Sequence, residues 1–388
     1  MGGNPSSPLD LVVLANPGSR RLGWLEPAMA RCGGPAPRVV AYSTYLRGEV
    51  RLGEVLREGS VLRIESPGQD FEVEREILAL GTDAAGSRLS REDLDRLEFD
   101  RGRILAPTQW YHGFARLLGR IREDRAEAAP HVVMNDEESI AVLYDKPRCR
   151  EHLVARGIEC PRAIGPVGSY DELRGRMRES RIGRVFVKLR YGSSASGIVA
   201  LEAIGPRAQA FTTVEMVDSE CGLRLYNSRR IRRLDAERTI ARLIDALAAE
   251  AVHVEAWVPK AGLEGHAFDL RVVVIGGRCE HAVVRLSRSP MTNLHLKNRR
   301  GDLSRLRDRM GGPAWEDLLD TCRRVGEAFP GCRYVGVDAA VLPGYRRHVV
   351  FEANAFGDLI PGILDPSGRD TYTAEIESLV ADPIRRRP

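Results

Sequence analysis

Lysine is scarce in this chain of 388 residues. Only four of its 58 basic side chains are lysine, and they are Lys146, Lys188, Lys260 and Lys297. Arginine supplies the positive charge everywhere else. In such a composition a lysine is expected where a compact point charge is wanted instead of a planar fork of donors. The four lysines are therefore candidates for specific roles.

Other absences exclude whole classes of protein. The seven cysteines include no C-x-x-C pair, which argues against a zinc site or a disulfide framework and predicts a reducing, cytoplasmic location. No apolar run approaches the roughly 18 residues that a membrane span needs, and the N-terminus lacks the pattern of a signal peptide. The formal charge of +4 is small and no long basic block occurs, so neither a nucleic acid nor a membrane is an expected partner.

The length predicts two or three domains. We expect boundaries at residues 1–130, 131–253 and 254–388. The first part shows a strand at 11–14, a helix from Leu22 and a strand at 38–42, an order typical of a small parallel α/β domain. Loops that leave the ends of parallel strands commonly bind ligands.

Four polar residues lie in such loops and are candidates for binding an anion or carboxylate substrate. They are Asn16, Arg20, Arg21 and Arg63. Solvated loop charges are the more ordinary explanation for them.

A loop of small residues at 192–197 joins two predicted strands, 184–189 and 198–201. Its backbone N–H groups could wrap a phosphate, and Lys188 lies on the strand that enters it. The loop is not a Walker motif, because Ile198 and Val199 stand where Lys and Ser or Thr are required and a strand follows instead of a helix. We interpret it as a flexible flap.

Two further stretches place polar side chains on sheet faces. A short strand at 253–258 carries Glu255, Trp257 and Val258. A hairpin at 268–285, if its loop has three residues, puts Asp269 and Arg271 on the same face as Arg285.

The clearest pattern is near the C-terminus, where strands at 334–342 and 348–354 flank a loop containing Pro-Gly. A loop centred on Tyr345 would set Asp338 directly opposite Glu352, with Asn354 on the same face. Two such carboxylates repel each other unless a positive charge lies between them, and few, hard oxygen ligands suit Mg²⁺ held partly by phosphates. A polar, solvated sheet face is the alternative.

Taken in order, these motifs resemble the ATP-grasp family over about residues 131–370. The motifs are Lys146, Lys188 with its flap, Glu255-x-Trp257-Val258, Asp269-x-Arg271, Asp338 and Glu352-x-Asn354. The resemblance implies an α/β chain whose catalytic part is α+β, with two subdomains that grip ATP behind a small parallel α/β domain. Residues 16–21, 63–68 and 109–111 also resemble an uncharacterised bacterial ATP-grasp subgroup, which suggests no substrate.

The resemblance also implies roles for individual residues. ATP phosphates would be held by Lys146, Lys188 and the flap residues Gly192, Ser193, Ser194, Ser196 and Gly197. Adenine would meet Glu255, Trp257 and Val258, and the ribose would meet Glu264 or, as the weaker candidate, Lys260. Catalysis would rest on Arg271, Arg285 and Lys188. Asp338, Glu352 and Asn354 would hold two Mg²⁺ ions, or Mn²⁺, and Asn293 and Lys297 lie in a loop expected beside the acyl acceptor.

The implied activity is a carboxylate–amine ligase that forms an amide through an acyl phosphate and releases ADP and phosphate. A small-molecule or peptide carboxylate and an amine would be its substrates, and a homodimer is expected by the same resemblance. The alternatives are an ATP-grasp kinase and a nucleotide-binding protein without catalysis.

Overall fold

The computed structural model describes residues 8–193, 195–205, 207–220 and 222–381. Within these ranges the strands form three sheets, which we call the N-terminal, middle and C-terminal sheets. None of the described helices combines the length and the apolar surface that crossing a bilayer requires.

The N-terminal sheet is parallel throughout, in the order β2-β1-β3-β4. Its strands are β1 (Leu11–Ala15), β2 (Arg38–Ala41), β3 (Val61–Ile64) and β4 (Val132–Val133). The helices among them are α1 (Leu22–Arg31), α2 (Tyr42–Leu46), α3 (Leu52–Val55), α4 (Phe71–Leu80), α5 (Arg91–Asp95) and α6 (Pro107–Ala126). The prediction of a parallel α/β arrangement at the N-terminus is confirmed.

The middle sheet is antiparallel, in the order β8-β7-β6-β5-β9. Its strands are β5 (Arg184–Leu189), β6 (Ile198–Ile204), β7 (Arg207–Ser219), β8 (Gly222–Leu234) and β9 (Val252–Ala256). The neighbouring helices are α7 (Glu137–Tyr144), α8 (Lys146–Val154), α9 (Tyr170–Glu179) and α10 (Glu237–Ala248). The apolar stripe of α10 is buried at Ile240, Leu243, Ile244 and Leu247, where it packs with α9 onto one face of the sheet.

The C-terminal sheet is also antiparallel, in the order β13-β12-β11-β14-β15, with β10 paired to β11. Its strands are β10 (Gly262–Leu263), β11 (His266–Ile275), β12 (Arg278–Ser287), β13 (Arg299–Gly301), β14 (Tyr334–Val341) and β15 (His348–Asn354). A short 3-10 helix (Leu294–Leu296) and the helices α11 (Leu303–Met310), α12 (Gly312–Glu327) and α13 (Thr371–Ala381) complete the described chain.

The two faces of the C-terminal sheet have different neighbours. One face, with Val272 and Val337, packs against Leu318 and Val325 of α12. Because side chains alternate along a strand, the opposite face carries Asp269, Arg271, Arg285 and Asp338, and it turns towards the middle sheet. Further along that same face, Val273 and Tyr334 pack with β1, α1 and α13. The polar residues therefore lie where this face leaves the core and meets the middle sheet.

Candidate functional site

A cleft separates the middle sheet from the C-terminal sheet. Its inner part is a small cavity of about 10 Å³ whose lining includes Lys146, Lys188, Glu255 and Glu352. An outer part of about 410 Å³ is lined by residues that include Trp257, Lys260 and Arg288. Phe351 stands between the two parts, since its ring lies 5.9 Å from Nζ of Lys188 and 5.2 Å from Nζ of Lys260.

On the middle sheet, Lys188 forms an ion pair with the buried carboxylate of Glu255. The pairing follows from the register, in which Lys188 faces His253 and Phe186 faces Glu255 on the two neighbouring strands. Nε2 of His253 lies 3.3 Å from the other oxygen of Glu255. Burial alone would raise the pKa of Glu255, but Lys188 and His253 together lower it to about 2. The carboxylate is thus held ionised beside a lysine ammonium.

Lys146 lies in the first turn of α8 and points into the same cavity. Its Nζ donates to Oε1 of Glu352 at 2.9 Å and to the carbonyl of Gly192 in the flap at 2.5 Å. The helix begins at Lys146 with Pro147 in its first turn, a position that proline tolerates. Lys146 therefore connects the flap to the C-terminal sheet.

The flap connects β5 to β6 in a tight loop. N–H of Ser196 donates to the carbonyl of Ser193 at 2.8 Å, and Gly197 has a φ of +64° and packs so closely on Leu189 that a Cβ would lie 2.3 Å from that side chain. Ser194, also predicted to bind phosphate, lies outside the described residues. At the base of the flap, the ring of Tyr191 stacks on Tyr111 of α6 with a centroid distance of 3.9 Å and an angle of 9°.

On the C-terminal sheet, two arginines converge on Asp338. Arg271 directly faces Asp338 in the ladder and bonds both of its oxygens, at 2.5 and 2.8 Å, while Nη2 of Arg285 lies 3.0 Å from Oδ1. Arg285 also faces Asp269 and donates to it at 2.6 Å. Burial would raise the pKa of Asp338, and the two arginines outweigh it and lower the pKa to about 2. The predicted shared face of Asp269, Arg271 and Arg285 is confirmed.

The register that brings Asp338 opposite Glu352 was predicted correctly, but the loop is one residue longer than the five residues between the predicted strands. Val341 pairs with His348, so six residues separate the strands, and that loop alone would set Asp338 opposite Phe351. A bulge after Val350 adds one residue to β15 and restores the pairing of Asp338 with Glu352. Asn354 lies on the same face and donates to the carbonyl of Gly336 at 3.4 Å.

These three residues fit a Mg²⁺ site by their chemistry. Two facing carboxylates and an amide oxygen are hard ligands of the kind that Mg²⁺ shares with phosphate oxygens and water. The carboxylates are paired here with protein cations, Glu352 with Lys146 and Asp338 with the two arginines. The described residues contain no group of three or more His, Cys, Asp or Glu side chains that could hold a metal by themselves. The remaining ligands would therefore come from a bound nucleotide.

The residues predicted to meet adenine and ribose are spread along the outer cleft. Trp257 and Val258 lie just beyond the end of β9, and the Trp257 ring is 5.4 Å from that of Phe186. Glu264 occupies the exposed turn between β10 and β11, where it pairs with Arg305 at 3.1 Å. Lys260, the weaker ribose candidate, lies inside the cleft and donates to Thr292 at 2.8 Å. Burial lowers the pKa of Lys260, against the opposing effect of Asp269.

The four predicted substrate residues of the N-terminal part differ in their exposure and in their bonding partners. Arg20 is exposed. Asn16 is buried and donates to the carbonyls of Pro67 and Gly68 at 2.7 and 3.2 Å. Arg63 is fully buried and bonds three carboxylates, and Arg21 bonds Asp358. These bonds hold the N-terminal sheet against residues near the C-terminus.

The two predicted residues of the acceptor loop lie at the 3-10 helix. Asn293 caps its first turn by accepting from N–H of His295 at 3.0 Å, and Lys297 follows it, exposed, with a φ of +63°. Met291 and Leu296 of this loop pack on Phe186 and Ala200 of the middle sheet. The loop therefore lies across the cleft.

Sequence reasoning missed several residues of the site. His253 could have been found, because it lies two positions before Glu255 and so shares its sheet face. Phe351 could not, since its place depends on the bulge. Asp358 is fully buried with both oxygens bonded to arginines, and nothing in the local sequence indicates such distant partners.

Comparison with known proteins gives the fold. No protein-family model and no curated protein sequence matches this chain. Among solved structures it is similar to the ATP-grasp ligase PsnB complexed with the precursor peptide PsnA2 and AMPPNP, at 17% identity and a TM-score of 0.52, covering 98% of this chain and 100% of that one.

Two other solved structures give the same result. The macrocyclase MdnC from Microcystis aeruginosa MRC, bound with the precursor peptide MdnA, is 10% identical with a TM-score of 0.54, covering 96% of this chain and 100% of that one. The D-cycloserine synthetase DcsG is 12% identical with a TM-score of 0.54, covering 95% and 98%. The chain has the ATP-grasp fold, as the sequence motifs predicted.

Proposed function

We propose that this chain, which has the ATP-grasp fold, is an ATP-dependent ligase that joins a carboxylate to an amine. A carboxylate oxygen attacks the γ-phosphorus of ATP, ADP leaves, and an acyl phosphate results. The amine then attacks the acyl carbon, phosphate leaves with the bonding electron pair, and the amine loses a proton. The observation that carries the proposal is the convergence of two lysines, two arginines and two facing carboxylates on one cleft.

The side chains match what phosphoryl transfer requires, which is charge neutralisation and alignment more than a protein nucleophile. Lys146 and Lys188 would bind the phosphates, with the flap closing over them. Arg271 and Arg285 would stabilise the charge that develops on the transferred phosphoryl group and on the acyl phosphate. Asp338, Glu352 and Asn354 would hold two Mg²⁺ ions, which would neutralise the phosphate oxygens.

A peptide is the substrate class that the comparisons favour. PsnB and MdnC share the fold and are seen with precursor peptides. DcsG, which is named as a D-cycloserine synthetase, shares it as well, so a small carboxylate and a small amine belong in the same substrate screen.

Thermal unfolding with and without ATP and Mg²⁺ tests the site. A ligand that binds only the folded state raises the midpoint by mass action, by an amount equivalent to about 2.7 kcal/mol at a hundred times its Kd. We expect such a rise for wild type with ATP and Mg²⁺ together, and a much smaller one for Glu352→Ala. An equal, metal-dependent rise in the variant would contradict the metal assignment.

The fate of the phosphate tests the reaction. A ligase releases ADP and inorganic phosphate in equal amounts as the amide forms, whereas a kinase leaves the phosphate on its product. Binding of ATP without turnover on any carboxylate and amine tried would favour a nucleotide-binding protein without catalysis.

A further inference from the structure

The four residues after Asn354 connect the candidate metal site to the rest of the molecule. They are Ala355, Phe356, Gly357 and Asp358, which we call the 355–358 segment. From the C-terminal sheet, Nη1 of Arg271 donates to the carbonyl of Gly357 at 3.2 Å. Gly357 also lies so close to Gly336 that a Cβ on Gly336 would be 2.5 Å from its Cα. The segment therefore contacts both Arg271 and the strand β14.

The same segment is also bonded by Arg21, the residue immediately before α1. Nη1 of Arg21 donates to Oδ1 of Asp358 at 2.5 Å, and Nη2 donates to the carbonyl of Phe356. The other oxygen of Asp358 accepts from Nη2 of the buried Arg63 at 2.6 Å. The guanidinium of Arg21 therefore bonds Phe356 and Asp358, the residues immediately before and after Gly357.

We infer that Arg21 is a positioning residue for Arg271, acting through Phe356 and Asp358 on the carbonyl of Gly357. The guanidinium of Arg271 has three anchors, namely the two oxygens of Asp338 and this carbonyl. If the carbonyl moves, Arg271 can still pair with Asp338, but one of the three contacts that fix the plane of its guanidinium is lost. Stabilisation of developing charge depends on donors that are already aimed, so small displacements reduce the rate strongly.

The chain offers a matched control at the other end of the same helix. Arg31, the last residue of α1, donates to Asp370 at 2.5 Å and to Thr373 at 2.9 Å, so it also joins the N-terminal region to the start of α13. Among the residues that the structure describes, Arg31 makes no hydrogen bond to the 355–358 segment. Arg21→Ala and Arg31→Ala therefore both weaken the same interface, and only the first releases the segment.

Hydrogen exchange measures how firmly Arg21 fixes the 355–358 segment, and it does not depend on enzymatic activity. We expect peptides that cover residues 355–358 to exchange faster in Arg21→Ala than in wild type, and at the wild-type rate in Arg31→Ala. Arg21→Lys keeps the charge but offers one nitrogen instead of a fork, so it should resemble Arg21→Ala, and it provides the test if the alanine variant folds poorly. Unchanged exchange in both Arg21 variants, or equal change in Arg31→Ala, would overturn the inference.

The second measurement rests on the proposed function, because it concerns what Arg271 does. In steady-state ADP release we expect Arg21→Ala and Arg21→Lys to lower kcat by about tenfold while the KM for ATP changes by less than about twofold. Arg31→Ala should keep the wild-type kcat per folded molecule. A rise in KM alone, or the same loss in Arg31→Ala, would refute a positioning role. A wild type without turnover would count against the proposed function, and hydrogen exchange would then decide whether Arg21 holds the segment.

Discussion

At the scale of single residues, Lys188 serves the fold and the site at once. Its ammonium neutralises the buried carboxylate of Glu255, so its loss removes the charge that we propose binds phosphate and also leaves an uncompensated buried charge. Removing one partner of a buried pair destabilises a protein by about 3 kcal/mol or more, whereas replacing both by neutral groups is often nearly neutral. A loss of activity in a single variant is therefore ambiguous.

A double variant separates the two effects. We predict that Lys188→Met lowers both ATP turnover and the unfolding midpoint, and that Lys188→Met combined with Glu255→Gln recovers most of the midpoint and none of the turnover. Denaturant unfolding and ADP release measure the two quantities. If the double variant is no more stable than Lys188→Met, or if turnover returns with stability, the role assigned to Lys188 is wrong.

At the scale of secondary-structure elements, the sequence predicted which residues face each other better than it predicted the strands that carry them. Asp338 faces Glu352 as expected, yet this depends on a six-residue loop and a bulge that compensate each other. Periodicity reveals which residues share a face, but a bulge is a backbone irregularity that leaves no periodic signal. The long hairpin of β7 and β8 was not predicted, because arginines at 229, 230, 232 and 233 obscure its alternation.

The flap and α6 form a second contact that local sequence could not reveal. Tyr111 stacks on Tyr191, and its hydroxyl donates to the carbonyl of Ala141 at 3.0 Å. Aromatic pairs contribute about 1 kcal/mol beyond the area they bury. The stack should therefore stabilise the packed position of the base of the flap by about 1 kcal/mol.

Trypsin can report on this hold, because its cleavage site after Arg190 adjoins Tyr191. We predict that Tyr111→Ala raises the rate of cleavage there by about fivefold, the equivalent of 1 kcal/mol, whereas Tyr111→Phe, which keeps the ring, stays near wild type. Phe99→Ala is the control, since it removes an exposed ring from a pair with Phe71 in another part of the N-terminal region. Equal cleavage in Tyr111→Ala and wild type would show that the stack does not restrain the flap.

At the scale of the whole molecule, the N-terminal sheet and the C-terminal residues are joined by charges that water does not reach. Arg63 is fully buried between the rings of Tyr334 and Tyr372 and bonds Glu65, Asp358 and Glu375 at 2.5–2.6 Å. These partners lie up to 312 positions away in sequence. The sequence predicted Arg63 to lie in a loop, which is wrong, since it lies on β3. Sequence spacing carries no information about such distant partners.

This network predicts how stability depends on pH. Burial raises the pKa of Glu375 to about 8, helped by Asp358 and Glu65 and opposed by Arg63. In the unfolded chain the same carboxyl ionises near its model value of 4.5. Between these values the folded protein holds a proton that the unfolded chain releases, so this stabilising contribution is complete below about pH 4.5 and is lost as the pH rises towards 8.

Glu375→Gln tests this, because glutamine has a similar shape and cannot ionise. We predict that the free energy of unfolding of wild type falls relative to that of the variant by up to about 1.4 kcal/mol per pH unit between pH 5 and 8. Subtracting the two curves removes the contribution of the titrating groups that do not interact with Glu375. Glu377→Gln, on the exposed side of the same helix where Glu377 pairs with Arg369 at 2.7 Å, should run parallel to wild type. If the Glu375→Gln curve also runs parallel to wild type, Glu375 is ionised in the folded protein. The three carboxylates of the buried network, Glu65, Asp358 and Glu375, then carry one more charge than Arg21 and Arg63 balance.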